Sequence, residues 1–108
     1  MWKDKRVSVI FPTYNEKDSI RAAVLDFFAS GWVDEVVVVN NNAAPGTDEE
    51  VAGTGARLVH EARQGYGHAI WRGLEEAEGD LLIISEPDGT FSGNDVIKLL
   101  AFSDDVPV

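Results

Sequence analysis

The 108-residue chain has no cysteine, which excludes disulfide staples and thiolate zinc centres and is compatible with a reducing compartment. No apolar run approaches the ~18 residues of a membrane span. The charged start, Lys3-Asp4-Lys5-Arg6, leads into a strand pattern rather than a signal peptide. Positive charge is scarce: 9 Lys and Arg against 19 Asp and Glu leave a formal net charge of −10. Basic patches that neutralise phosphates are therefore missing, and nucleic acid is not expected as a partner. A small phosphate-bearing molecule stays compatible, provided a divalent cation and backbone N–H groups supply the positive charge. Repeats, low-complexity tracts and linkers are absent. So are the Gly-x-x-x-x-Gly-Lys-Ser/Thr phosphate loop, the Gly-x-Ser-x-Gly elbow and the His-Glu-x-x-His zinc helix.

What is present reads as a single globular domain, with 44% hydrophobic and 26% charged residues. A chain of this length buries roughly 60–70% of its unfolded surface. Four βα units follow one another. A first strand near Val7–Phe11 is cut by Pro12, which cannot donate to a ladder. A helix near Glu16–Ser30 places Ile20, Ala23, Val24, Phe27 and Phe28 on one stripe and stops at Gly31. The valine run Glu35–Val39 suits a strand buried on both faces. Thr47-Asp48-Glu49-Glu50 has capping-box spacing and predicts a short helix. Arg57–His60 is a weaker third strand. Gly65–Gly67 opens a helix with Ile70, Gly73, Leu74 and Ala77 inward and Gly79 at its end. Leu81–Ile84 is a fourth strand, Asn94–Ala101 a fourth helix, and residues 106–108 read as the start of a fifth strand. The fold expected is α/β: a Rossmann-like, mostly parallel sheet of order 3-2-1-4 with flanking helices.

In such sheets ligands bind beyond the carboxyl ends of the strands, where strand order reverses. Three strands here end in polar residues: Pro12-Thr13-Tyr14-Asn15-Glu16, Asn40-Asn41-Asn42 and Glu86-Pro87-Asp88-Gly89. Each has a bland reading and a functional one. Glu86 and Asp88 are carboxylates at i and i+2, suited to a hard cation such as Mg2+ or Mn2+ shared with substrate phosphates, while Pro-Asp-Gly is equally a good β-turn. The asparagines tolerate left-handed backbone and cap turns, yet an amide also pairs with a nucleobase edge. Tyr14 either stacks on a base or packs over the sheet end. Glu16 either binds a ribose hydroxyl or favours a helix N-terminus. Arg63-Gln64-Gly65-Tyr66-Gly67-His68-Ala69 fails the Gly-x-Gly-x-x-Gly fingerprint; its glycines suit close helix–sheet packing, and Arg63 is a candidate diphosphate contact. His60 and His68 lack metal-ligand spacing and read as structural.

Together these residues resemble the amino-terminal half of family-two glycosyltransferases. That GT-A fold group includes the dolichyl-phosphate mannose synthases and related polyprenyl-phosphate sugar transferases. The likeness runs from Pro12–Glu16 through Val36–Thr47, Arg63–Ala69, Gly73, Ala77 and Gly79-Asp80 to Glu86–Gly89. It implies a nucleoside-diphosphate sugar, UDP- or GDP-linked, held with Mg2+ or Mn2+ for inverting transfer. By resemblance the nucleotide-binding residues are Pro12, Tyr14, Glu16, Asn40, Asn41, Arg63 and Glu86, and the metal ligands Asp88 and Glu86. The family's paired aspartates after the second strand are Asn40 and Asn41 here, which still allows base contact but removes its charge. The first acid of its Asp-x-Asp is Glu86, one methylene longer, so Asp88 is the safer ligand.

The family's general base and acceptor pocket lie beyond this stretch, so the base is expected beyond Val108. Residues 1–108 are expected to be the nucleotide-sugar-binding part of a truncated domain, inactive alone and prone to self-association. The acceptor is open, a polyprenyl-phosphate lipid being one candidate; the expected location is cytoplasmic, at the membrane surface if the acceptor is a lipid. A competing reading is a non-catalytic nucleotide-binding or interaction module. A nucleotidyltransferase fits less well, because that class carries a glycine-rich loop after the first strand and this chain does not.

Overall fold

The computed structural model describes residues 1–89 and 92–105. Over these the chain alternates β1 (Val7–Thr13), α1 (Lys17–Ala29), β2 (Glu35–Asn40), α2 (Thr47–Val51), β3 (Arg57–His60), α3 (Tyr66–Glu76) and β4 (Leu81–Ile84). A 3-10 turn, Gly93–Asp95, then leads into α4 (Val96–Asp105). The strands form one parallel sheet in the order β3-β2-β1-β4, as the alternation predicts. The fifth strand expected at 106–108 lies outside the described residues.

β1 does not stop at Phe11. It continues through Pro12, which pairs with Val39, to Thr13, which pairs with Asn40. The reason lies in the ladder. Backbone groups of a parallel strand point alternately to its two neighbours. Ile10 faces β4, its carbonyl accepting from the Ser85 N–H, whereas Thr13 faces β2, accepting from the Asn41 N–H. Pro12 therefore faces β4, whose pairing has already ended at Ile10–Ile84. Its missing donor costs no sheet bond.

The sheet separates two apolar layers. Val7, Val9, Phe11, Val36, Val38 and Ile83 pack against Ile20, Val24 and Phe27 of α1 and Val96 and Leu100 of α4. Phe11 and Phe27 meet edge to face at 4.9 Å. Ile10, Val37 and Val39 face the other way, toward Ala69 of α3. Each fully buried Val, Ile or Phe contributes about 1.5–3 kcal/mol, so the α1/α4 face, which holds most of them, carries most of the hydrophobic stabilisation. On the α3 side the close approach occurs at Gly73, where an added Cβ would lie 2.3 Å from Ile10 Cγ2. Gly67 has open space beside it, so it is not the packing glycine the sequence suggested.

The capping box at Thr47 does not form either. Thr47 is fully buried, lies inside α2 after Gly46, and donates its hydroxyl back to the Ala44 carbonyl at 2.7 Å. A hydroxyl turned into the preceding turn cannot cap the helix ahead of it.

Candidate functional site

The polar strand ends converge. A cleft of about 240 Å³ opens at the carboxyl ends of β1, β2 and β4, lined by Pro12, Thr13, Tyr14, Glu16, Asn41, Gln64, Tyr66, Ala69 and Glu86. A larger hollow of about 450 Å³ lies elsewhere, between β4 and α4, and is bounded mainly by leucine and isoleucine. Its walls offer almost no chemistry, so the polar cleft is the candidate site.

Local bonds build each wall. The Glu16 carboxylate accepts the Tyr14 N–H at 2.7 Å, which folds the turn after β1 and leaves Tyr14 half exposed. Ser19, in the first turn of α1, donates to the Pro87 carbonyl, tying the loop after β4 to the helix that follows β1. That tie holds Glu86 and Asp88 near the turn carrying Tyr14. Burial raises the Tyr66 hydroxyl above its ordinary pKa, and the Glu86 and Glu16 carboxylates push it the same way. The cleft is thus acidic, and none of its lining residues is Lys or Arg.

The three asparagines do different things. Asn40 donates to Asp48 at 2.6 Å and accepts the Ala43 N–H at 2.8 Å, so it lines a separate cleft with Asp48 and His60. His60 Nε2 lies 2.7 Å from the same Asp48, in keeping with a structural role. Burial opposes ionisation of Asp48, but its contacts with Asn40 and His60 hold its pKa below the ordinary value. Asn42 takes left-handed backbone, φ 60°, and bonds to the Ala62 carbonyl and Gln64. Only Asn41 reaches the cleft. Arg63 is outside the lining: its guanidinium makes two bonds to the buried Glu61, at 3.1 and 3.0 Å, while remaining largely exposed. Of the sequence-derived nucleotide residues, the cleft gathers Pro12, Tyr14, Glu16, Asn41 and Glu86, but not Asn40 or Arg63. Sequence reasoning did not single out Gln64, Tyr66 or Ala69 as lining residues, and it noted Thr13 only as part of the polar end of the first strand. An exposed tyrosine in the first turn of a helix after a strand was the available signal for Tyr66.

Among the described residues, no group of three or more His, Asp or Glu side chains could hold a metal unaided. Glu86 and Asp88, both exposed on one loop, nevertheless offer the oxygen donors that Mg2+ and Mn2+ take when substrate phosphates complete the shell. The donor set fits a hard cation.

A parallel βα sheet with a polar cleft beyond its strand ends defines an α/β protein whose ligand site lies at the carboxyl edge of the sheet. The glycosyl transferase family 2 profile matches residues 8–108, and the chain belongs to that family. A glycosyltransferase of Mycobacterium tuberculosis is 35% identical over 95 residues, covering 88% of this chain and 42% of the relative. The glucosyl-3-phosphoglycerate synthase of M. tuberculosis superposes with a TM-score of 0.70 at 27% identity, over 79% of this chain and 35% of that one. The same enzyme bound to Mn2+, UDP and glucosyl-3-phosphoglycerate gives 0.67 at 27% identity, over 78% of this chain and 34% of that one. The chain spans less than half the length of these relatives.

Proposed function

We propose that this chain is the donor-binding part of an inverting glycosyltransferase, taking a nucleoside-diphosphate sugar together with Mg2+ or Mn2+. The observation that carries the reading is the convergence of three polar strand ends on one acidic cleft, with Glu86 in its lining and Asp88 two residues further along the same loop, outside the lining. UDP is the first nucleotide to try, because it occupies the solved relative.

In this reading Tyr14 and Tyr66, both about half exposed at the cleft, give the base two aromatic surfaces. Pro12 fixes the backbone beneath the base. Glu16, already shaping the turn, presents its carboxylate to a ribose hydroxyl. Glu86 and Asp88 would hold the cation against the diphosphate; Arg63, outside the lining and bonded to Glu61, is given no contact with it. When bound, the cation supplies positive charge that stabilises the departing diphosphate. The general base and acceptor pocket are assigned to the part of the relatives that this chain does not span. The acceptor classes to try first are a polyprenyl phosphate, at the cytoplasmic membrane surface, and phosphoglycerate.

Calorimetric titration with UDP and GDP in Mn2+ tests the cleft. Tyr14→Ala should weaken binding by about 0.5–1.5 kcal/mol, roughly 2- to 10-fold, without lowering the melting temperature. Unchanged affinity would return Tyr14 to a packing role.

A further inference from the structure

Asn41 uses its whole amide on one loop. Its Nδ2 donates to the Glu61 and Arg63 carbonyls, each at 2.8 Å, and its Oδ1 accepts the Gly65 N–H at 2.9 Å and Gln64 Nε2 at 3.4 Å. The side chain is 3% exposed, and its backbone N–H extends the ladder to the Thr13 carbonyl at 2.9 Å. Two carbonyls on one side and a backbone N–H on the other leave the amide only one orientation. An aspartate here would set a carboxylate against two carbonyl oxygens. The loop so held, 61–65, carries Gln64 and leads into Tyr66, both of which line the cleft. Gly65 itself has φ 137°, a backbone that other residues rarely adopt, so the amide secures a conformation with little preference of its own.

We infer that Asn41 is a positioning residue: it sets the Gln64–Tyr66 wall of the nucleotide cleft through the 61–65 loop and does not read the base. This rests on the nucleotide reading above, and replaces base discrimination at this position with control of cleft shape. The donors and acceptor of its side-chain amide are already used within the protein, so the amide has nothing left to pair with a base edge.

The test compares the full chain with Asn41→Asp and Asn41→Ser, measuring amide hydrogen exchange without nucleotide and calorimetric affinity for UDP and GDP with Mn2+. In Asn41→Asp, exchange at Gly65 should accelerate at least about tenfold, while Val37 and Val38 in β2 stay as protected as in the parent chain. Affinity should fall at least about tenfold for UDP and GDP alike. Asn41→Ser, neutral and shorter, should lose less, again equally for both bases; it decides the question if Asn41→Asp does not fold. A loss confined to one base would show that Asn41 reads it and would overturn the inference. So would unchanged affinity in both variants, or protection lost equally across β2. If the parent chain binds neither nucleotide, the functional reading falls and this inference with it.

Discussion

Glu61 and Arg63 form the most electrostatically committed pair beside the cleft. Arg63 donates from both its backbone and its guanidinium to Glu61, and these bonds lower the glutamate pKa from 4.5 to about 2. A carboxylate depressed in the folded state adds stability above its unfolded pKa and loses that contribution as pH falls through the folded one. The advantage of the parent chain over Glu61→Gln should therefore be constant above about pH 5 and shrink toward pH 2, as read from melting temperatures across that range. A constant difference would mean that packing, not charge, holds the pair. Little of this was legible in the sequence. Glu61 and Arg63 are close neighbours, but that the glutamate is buried follows only from the fold. The amide partners of Asn41 lie twenty or more residues away, where local pattern carries no information.

At the scale of elements, the hydrophobic pattern announced the four strands and α1, α3 and α4, because burial on one or both faces imposes its period directly; α2 was announced by its Thr-x-x-Glu spacing, and the 3-10 turn Gly93–Asp95 was not anticipated. The misread details were those decided by a neighbour in space. Pro12 sits within β1 because β4 is short on that side. Thr47 is a helix residue because its side chain is buried. The close helix–sheet contact falls at Gly73 rather than Gly67 because α3 crosses β1 at Ile10. Gly73→Ala tests that last point. Better helix propensity favours alanine by about 1 kcal/mol, but forcing a methyl into a filled core costs about 1–3 kcal/mol. With Ile10 fully buried and a 2.3 Å approach to relieve, the steric cost wins. Denaturant unfolding should show Gly73→Ala less stable than the parent chain, and a gain would show that α3 shifts freely.

Across the whole molecule, the charge of −10 and the apolar β4 edge pull in opposite directions. Leu82 and Ile84 on β4 are 41% and 42% exposed, beside a strand edge with no partner among the described residues. An open apolar edge favours strand-to-strand association, whereas net charge opposes it and salt screens that repulsion. Sedimentation should therefore show association that grows with ionic strength and is suppressed by Ile84→Lys. A monomer at all salt concentrations would contradict this.

An acidic cleft that takes a nucleotide through a cation held by Asp88 and Glu86 should bind it tightly only when the metal is present. A like-charge contact at 4 Å costs about 1 kcal/mol in water and about 4 kcal/mol near a protein surface, so Glu16 and Glu86 should repel a bare diphosphate strongly. The most direct measurement is calorimetry of UDP binding in EDTA and in Mn2+, for the parent chain and Asp88→Asn. Binding should be weak in EDTA and at least about tenfold tighter in Mn2+, and Asp88→Asn should lose most of that metal dependence. Equal affinity with and without Mn2+ would contradict it.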